Sequence, residues 1–229
     1  MFVSNSMVKH VITIDEAMLV FKAKELMLAS QIRHLPVVDK ENRVIGIVTD
    51  RDIRSAMPDS LLKVSNTEEC RTDISQKKVG EIMTRNPITI SPMDTIQDVL
   101  LIIKKEKVGA LPVVDAEGKL KGIISVQDLL SAFIDVMGLE DPGTLIGILV
   151  EDKIGQMKQV VDIITKQKIS FGSIMVVKTW EKNKRAIFPY LLTNNLIEVK
   201  RKLKKAGFPL IDPMEWYLSN LHDREPSPT

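Results

Sequence analysis

The sequence predicts an α/β (α+β) chain: two β-α-β-β-α units packed as a pseudo-twofold pair, then a β-α-β-β-α-β domain. Three observations lead there. Residues 3–56 and 79–132 align without a gap at a constant offset of 76, with 16 of 54 positions identical. Within each copy, short strand-like runs alternate with apolar stripes of helical period. A break at Gly138-Leu139-Glu140-Asp141-Pro142-Gly143 then opens a third stretch with its own order of elements. An ungapped register over that length marks an internal duplication.

The elements follow in order. In the first copy they are Val11–Ile14 (strand), Ala17–Leu28 (helix), Leu35–Val38 and Val44–Thr49 (strands) and Asp50–Ala56 (helix). In the second copy Ile88–Ile90 is a short strand. Ser91 is the expected N-cap of the next helix, with Pro92 at its first position. Ile96, Val99, Leu100 and Ile103 form that helix's apolar face. Strands Leu111–Val114 and Leu120–Ser125 flank the turn Ala116-Glu117-Gly118-Lys119, and Val126–Phe133 is the closing helix. A unit of about 50 residues buries little surface alone, so the copies are expected to share one core. The predicted divisions are 1–58 (first repeat), 59–78 (polar linker), 79–137 (second repeat), 138–143 (linker), 144–215 (third domain) and 216–229 (tail).

Composition narrows the class. The chain has 229 residues, 44% hydrophobic and 27% charged, as in an ordinary globular protein. No apolar run approaches the roughly 20 residues of a membrane span, and the first residues carry no secretory pattern, so no membrane association is expected. The single cysteine, Cys70, fits a reducing cytoplasm. Net charge is only +2 and aromatics are 4%, which disfavours a nucleic-acid binder. His10, His34 and His222 lie far apart, and no metal pattern can be written with them.

Two segments could carry chemistry: Gly46-Ile47-Val48-Thr49-Asp50-Arg51-Asp52 and Gly122-Ile123-Ile124-Ser125-Val126-Gln127-Asp128. In each, a hydroxyl residue sits where a strand gives way to a helix, where free N–H groups and the helix dipole favour an anion. A hydroxyl there can donate to a phosphate oxygen. An aspartate one turn on can accept from two ribose hydroxyls. A hydroxyl followed three residues later by an acid is equally a capping-box variant. Duplication at matched positions, each behind a glycine-bearing strand, favours ligand binding.

These residues carry a resemblance. Ile32-Arg33-His34-Leu35-Pro36-Val37-Val38-Asp39 with the first corner resembles a cystathionine-β-synthase (CBS) domain. The second copy resembles it through Val79-Gly80-Glu81-Ile82-Met83-Thr84 and Ala110-Leu111-Pro112-Val113-Val114-Asp115. The resemblance implies a disc-like regulatory pair whose clefts bind an adenine nucleotide (AMP, ADP, ATP or S-adenosylmethionine), with no other cofactor. Thr49 and Asp52 would hold phosphate and ribose in one cleft, Ser125 and Asp128 in the other. Ile12-Thr13-Ile14 and Ile88-Thr89-Ile90, with the segments before Pro36 and Pro112, would wall the adenine. Arg33, His34 and Arg51 would add charge near the first cleft, where the second has Gly109, Ala110 and Gln127. The first cleft should therefore prefer the more highly charged ligand, although basic side chains could equally reach the other cleft. CBS-like pairs associate through their helices, so a homodimer is expected.

The third stretch reads Leu145–Val150 (strand), Met157–Lys166 (helix), Ser173–Lys178 and Ala186–Leu192 (strands), Leu196–Lys205 (helix) and Phe208–Ile211 (strand). That is the ferredoxin-like split βαβ order. It resembles an ACT domain, a regulatory fold that often binds amino acids at a dimer interface. Glu151-Asp152-Lys153-Ile154-Gly155 is similar to that family's acid-x-Pro-Gly turn, with Ile154 in place of proline. Asp152 and Gly155 are therefore candidate effector residues. Close helix packing is the favoured reason for Gly155. Two CBS-like repeats followed by an ACT-like domain resemble the AcuB (acetoin-utilisation) family. Lys200–Lys205 is basic, but Leu196, Val199 and Leu203 give that helix a core face, and lysines suit a helix C-terminus before Gly207.

The leading expectation is a non-catalytic ligand sensor in the cytoplasm. An enzyme is a weaker reading, since no Gly-x-Ser-x-Gly, phosphate-loop or His-Glu-x-x-His motif is present. A nucleic-acid-binding regulator is the third.

Overall fold

The computed structural model describes residues 1–56, 76–181 and 183–211, so most of the predicted inter-repeat linker and all of the predicted tail lie outside the described residues. The chain divides into two compact units, Met1–Ser131 and Ala132–Thr229. That division falls within the helix Val126–Met137, ahead of the predicted break at 138–143.

In the first unit, a short helix α1 (Val3–Ser6) precedes α2 (Val20–Ser30), β1 (His34–Val38), β2 (Val44–Thr49) and α3 (Asp50–Ala56). The second repeat contains a 3-10 turn at Val79–Glu81, β3 (Thr84–Arg85), α4 (Ile96–Glu106), β4 (Ala110–Val114), β5 (Leu120–Ser125) and α5 (Val126–Met137). Each antiparallel hairpin repeats in matched register: Val37 faces Gly46, and Val113 faces Gly122. The first predicted strand of each repeat is reduced to a single parallel bridge, Ile14 to Val37 and Ile90 to Val113. Helix α4 starts later than predicted. Thr95, not Ser91, is its N-cap, with Asp98 closing the capping box. Ser91 and Asp94 instead close the preceding turn, where Asp94 Oδ2 accepts from the Ser91 N–H at 2.8 Å.

The repeats exchange their leading segments. Val8 pairs with Ile123 of β5, and Thr84 of β3 pairs with Ile47 of β2. The offset of 76 turns one pair into the other. The exchange reaches the cores. Val3 and Met7 pack with Ile90, Leu111 and Ile124 of the second repeat, while Val79 and Met83 pack with Ile14, Leu35 and Val48 of the first. Val3 and Val79 are fully buried, each contributing roughly 1.5–3 kcal/mol to a core that its own repeat does not own. Arg43 bridges Lys119, its own equivalent, and Val44 N–H donates to Gly118 O while Leu120 N–H donates to Asn42 O. A residue can meet its own counterpart only on a twofold axis, so the predicted pseudo-twofold pair is observed.

Two glycines make the exchange possible. A Cβ on Gly46 would lie 2.5 Å from Met83 Sδ, and one on Gly122 would lie 2.6 Å from Met7 Sδ and 2.9 Å from Val8 O. The glycine of each motif is therefore occupied in packing against the other repeat's methionine.

The second unit has β6 (Thr144–Leu145), β7 (Gly147–Glu151), α6 (Gln156–Thr165), β8 (Phe171–Glu181), β9 (Lys184–Leu191), α7 (Ile197–Lys205) and β10 (Leu210–Ile211). Strand β9 pairs with β6 and β7 along one edge and β8 along the other, and β10 flanks β7, all antiparallel. This is the split βαβ order that the periodicity predicts. Ile148, Val150, Ile187 and Leu191 of the sheet meet Val160 and Ile164 of α6 and Val199 and Leu203 of α7 in one core. Gly207 ends α7 at a φ of +83°, the left-handed stop expected of it.

Gly122→Ala should destabilise the first unit by about 1–3 kcal/mol, because the backbone oxygen of Val8 cannot yield. Gly46→Ala should cost less, since there the methionine side chain can swing and the nearest backbone oxygen, that of Thr84, lies 3.2 Å away. Urea midpoints of the two variants check the order, and equal midpoints to the parent protein would remove the packing role.

Candidate functional site

The two strand-to-helix corners have the same geometry. At the end of β2, Asp52 Oδ2 accepts from the Thr49 N–H at 2.8 Å and from the Thr49 hydroxyl at 2.7 Å. Thr49 Oγ1 in turn accepts from the Asp52 N–H at 3.3 Å. At the end of β5, Asp128 Oδ2 accepts from the Ser125 N–H at 2.7 Å and its hydroxyl at 2.6 Å, and Ser125 Oγ accepts from the Asp128 N–H at 3.3 Å. Both corners are reciprocal capping boxes with aspartate in the usual glutamate place. In this arrangement the single hydroxyl proton of Thr49 or Ser125 points to the carboxylate. In each aspartate only Oδ2 is engaged in these bonds. Oδ1 keeps its lone pairs for an outside donor.

The other predicted residues separate into two groups. Ile14 and Ile90 are 3% and 4% exposed and belong to the hydrophobic cores, so their side chains cannot wall a ligand. Pro36, Ala110 and Pro112 are buried as well. The carbonyls of Pro36 and Pro112 accept from Ile14 and Ile90 N–H at 3.1 Å, fixing the segments that precede them. Ile12 and Ile88, by contrast, are 38% and 41% exposed, and Thr13 and Thr89 are not buried. An apolar side chain left in solvent at the same position of both repeats is available to the face of a flat ring. Arg51 is exposed on α3. Arg33 lies beside Asp50 and Arg54, on the flank of α3 away from Asp52.

His34 faces Thr49 across the β1–β2 ladder. Its imidazole rests on the second repeat: a Cβ on Gly109 would lie 2.7 Å from His34 Nε2. Burial, reinforced by the Arg33 charge, holds this imidazole below the ordinary value of 6.5, against the opposing pull of Asp50 and Asp52. The periodicity missed this contact because only the packing of one repeat on the other brings position 109 to position 34.

Each repeat thus offers a capped corner with a spare carboxylate oxygen and an exposed isoleucine. A family model for the CBS domain matches residues 3–59 and 79–135. A CBS domain-containing protein of Dictyostelium discoideum is 35% identical over 135 residues, which cover 59% of this chain and 92% of that one. The chain belongs to the CBS-domain family. Its CBS pair is similar to the structure of an acetoin utilization protein (AcuB) from Vibrio cholerae, at 28% identity and a TM-score of 0.52, covering 61% of this chain and 96% of that one. It is also similar to CBSX2 from Arabidopsis thaliana solved in complex with AMP, at 27% identity and a TM-score of 0.50, covering 58% and 96%. An inosine-5'-monophosphate dehydrogenase of Aquifex aeolicus is 30% identical over 195 residues, 81% of this chain, but the chain spans only 37% of that longer enzyme.

In the candidate effector loop of the second unit, Asp152 and Gly155 each have a structural role. Asp152 is paired with Arg185 of β9, and its N–H donates to Asn183 O. Gly155 has a φ of +92° as the N-cap of α6, and a Cβ there would meet nothing within 4 Å. Gly155 is thus required by its left-handed backbone and not by close helix packing. Among the described residues no helix is long and apolar enough to cross a membrane.

The unfolded chain protonates His34 near its ordinary value, while the folded chain resists protonation to lower pH. Stability from His34 is therefore complete above 6.5 and is lost as pH falls toward the folded value. An NMR titration should give a His34 midpoint below 6.5. Thermal stability should fall between about pH 7.5 and about pH 5.5 less steeply in His34→Gln than in the parent protein. A midpoint at or above 6.5 would contradict the burial argument.

Proposed function

We propose that the protein is a non-catalytic cytoplasmic sensor in which the CBS pair binds an adenine nucleotide at its two corners and passes that occupancy to a partner. The observation that carries this reading is the duplicated carboxylate, with Oδ2 of Asp52 and of Asp128 spent on a cap and Oδ1 left over. Ribose hydroxyls would donate to Oδ1. The backbone around Thr49 and Ser125 would receive the phosphate, and Ile12 with Thr13, or Ile88 with Thr89, would flank the adenine. The AMP bound to the similar CBSX2 pair supports the ligand class. Arg51 has the uncharged Gln127 as its counterpart, so the first corner would take the more highly charged nucleotide.

The second unit would add an ACT-like regulatory or dimerising role, which its βαββαβ order supports. A link to acetoin utilisation rests on the AcuB likeness, which covers 61% of this chain. Homodimerisation is supported by α5, where Val126, Leu130 and Phe133 are each at least half exposed on one helical stripe. Light scattering should return twice the 25.8 kDa of one chain, and a monomer with and without nucleotide would exclude the dimer.

Calorimetry with AMP, ADP, ATP and S-adenosylmethionine tests the central reading. Asp52→Asn and Asp128→Asn should each weaken binding about tenfold or more at one corner, since a charged acceptor contributes roughly 1.5–3 kcal/mol. Both should keep the capping box, because the asparagine oxygen can still accept from the Thr49 or Ser125 N–H and hydroxyl, whereas the alanine variants lose those bonds and about 1 kcal/mol of stability. Unchanged nucleotide affinity in both asparagine variants would leave the corners as caps alone.

A further inference from the structure

The nucleotide corner uses one flank of α3. The opposite flank borders a cavity of about 400 Å³ that the sensor reading leaves unused. Asp50, Ile53 and Arg54 line it, and at about 100° per residue Asp52 stands roughly 200° round the helix from Asp50 and from Arg54. The volume lies within the range of about 300–1,000 Å³ typical of small-ligand sites. Met27, Leu28, Ile32 and Ile53 give it an apolar floor. Lys24, Arg33 and Arg54 line it too, with Asp50 the single acid. Asp50 is already spent, because its Oδ2 accepts from Arg54 at 2.8 Å. Arg33 makes no ion pair among the described residues.

The duplication supplies an internal control. The offset of 76 places Leu100, Gly109, Val126 and Leu130 where the first repeat has Lys24, Arg33, Asp50 and Arg54. The floor stays apolar at three positions, with Ile103, Val108 and Leu129 for Met27, Ile32 and Ile53, while Leu28 and Gln31 correspond to Lys104 and Lys107. The fold therefore does not need a charge at positions 33, 50 and 54. What distinguishes the first repeat is Arg33 where the second has Gly109, and the Asp50–Arg54 pair where the second has Val126 and Leu130.

We propose that this cavity is a second effector site for a small amphipathic carboxylate. An aliphatic body of about four to eight carbons would lie on the floor, and the carboxylate would sit in the fork of Arg33. The two nitrogens of a guanidinium match the two oxygens of a carboxylate, which selects an acid over an alcohol of equal size. Because α3 carries both sites on opposite flanks, occupancy of one is positioned to change the affinity of the other, and by linkage the effect would be mutual.

The test uses the full chain and sodium hexanoate, followed by calorimetry or NMR shift changes. Hexanoate should bind saturably at one site per chain, and hexan-1-ol at least about tenfold more weakly. Arg33→Gln should weaken hexanoate at least about tenfold without altering the fold, since Arg33 is exposed. Leu28→Glu, at a position 69% exposed, should abolish binding by placing a like charge against the ligand. Absence of saturable hexanoate binding would overturn the proposal. So would equal affinity for hexanol, or Arg33→Gln and Leu28→Glu variants that bind as the parent does. AMP titrated into the parent chain reports on the corners separately, so failure of hexanoate leaves the nucleotide reading standing, and the reverse holds.

Discussion

Neither repeat is complete without the other's first residues, and this mutual loan fixes everything downstream of it. Met7 lies on Gly122 and Met83 lies on Gly46, each where a Cβ would collide. The borrowed segments also add backbone pairing to β2 and β5, the strands that end in Thr49 and Ser125. A corner whose strand is clamped by the other repeat cannot move alone. Any displacement at Asp52 is felt by Thr84 and Met83, which lead into the second repeat. Coupling between the corners is thus a property of shared cores, with a packed, weakly deformable material between them. A ligand that prefers one arrangement of the pair can shift it only by its difference in affinity for the two.

The choice between a cap and a binding site dissolves at the level of single oxygens. A carboxylate has two, and one is enough to satisfy the helix start. A cap contributes about 1 kcal/mol, a useful but small share of the marginal stability of a domain. Using Oδ2 for the cap also holds Oδ1 in a fixed direction, so a bond from an outside donor would cost little side-chain entropy. The hydroxyl takes part in the same bond and orients the aspartate.

What the residues reveal on their own depends on how local the determining forces are. The repeat, the hairpins and the split βαβ order follow from periodicity and turn chemistry, which act over a few residues. The start of α4 does not. Ser91 with Asp94 and Thr95 with Asp98 are two successive hydroxyl-acid pairs, each a valid cap, and only tertiary packing selects the second. The exchange is harder still. Val3 matching Val79 and Met7 matching Met83 shows that these positions matter, but not which core receives them. The packing of one repeat on the other likewise hides the meeting of His34 with Gly109 and the burial of Ile14 and Ile90. At Gly155 the error has another source, since close packing and positive φ both call for glycine, and only the backbone angle tells them apart.

A duplicated unit separates the needs of the fold from everything else within one chain. Positions that hold the pair together are alike in both copies: Val3 and Val79, Met7 and Met83, Gly46 and Gly122. The carboxylates at Asp52 and Asp128 are alike too, and they serve a cap that both helices need. Positions 33, 50 and 54 stand apart. Their counterparts are Gly109, Val126 and Leu130, which carry no charge and sit in an equivalent backbone. The two repeats therefore differ on this flank: the first carries Arg33, Asp50 and Arg54 around a cavity, and the closing helix of the second carries half-exposed Val126 and Leu130. An apolar flank is suited to protein, because burying it releases water without desolvating a charge. A cationic flank with an apolar floor is poorly suited to that use, because a protein partner would have to neutralise Arg33. The symmetry of the fold thus coexists with different surfaces on its two halves, and that difference is written in the side chains that the core does not need.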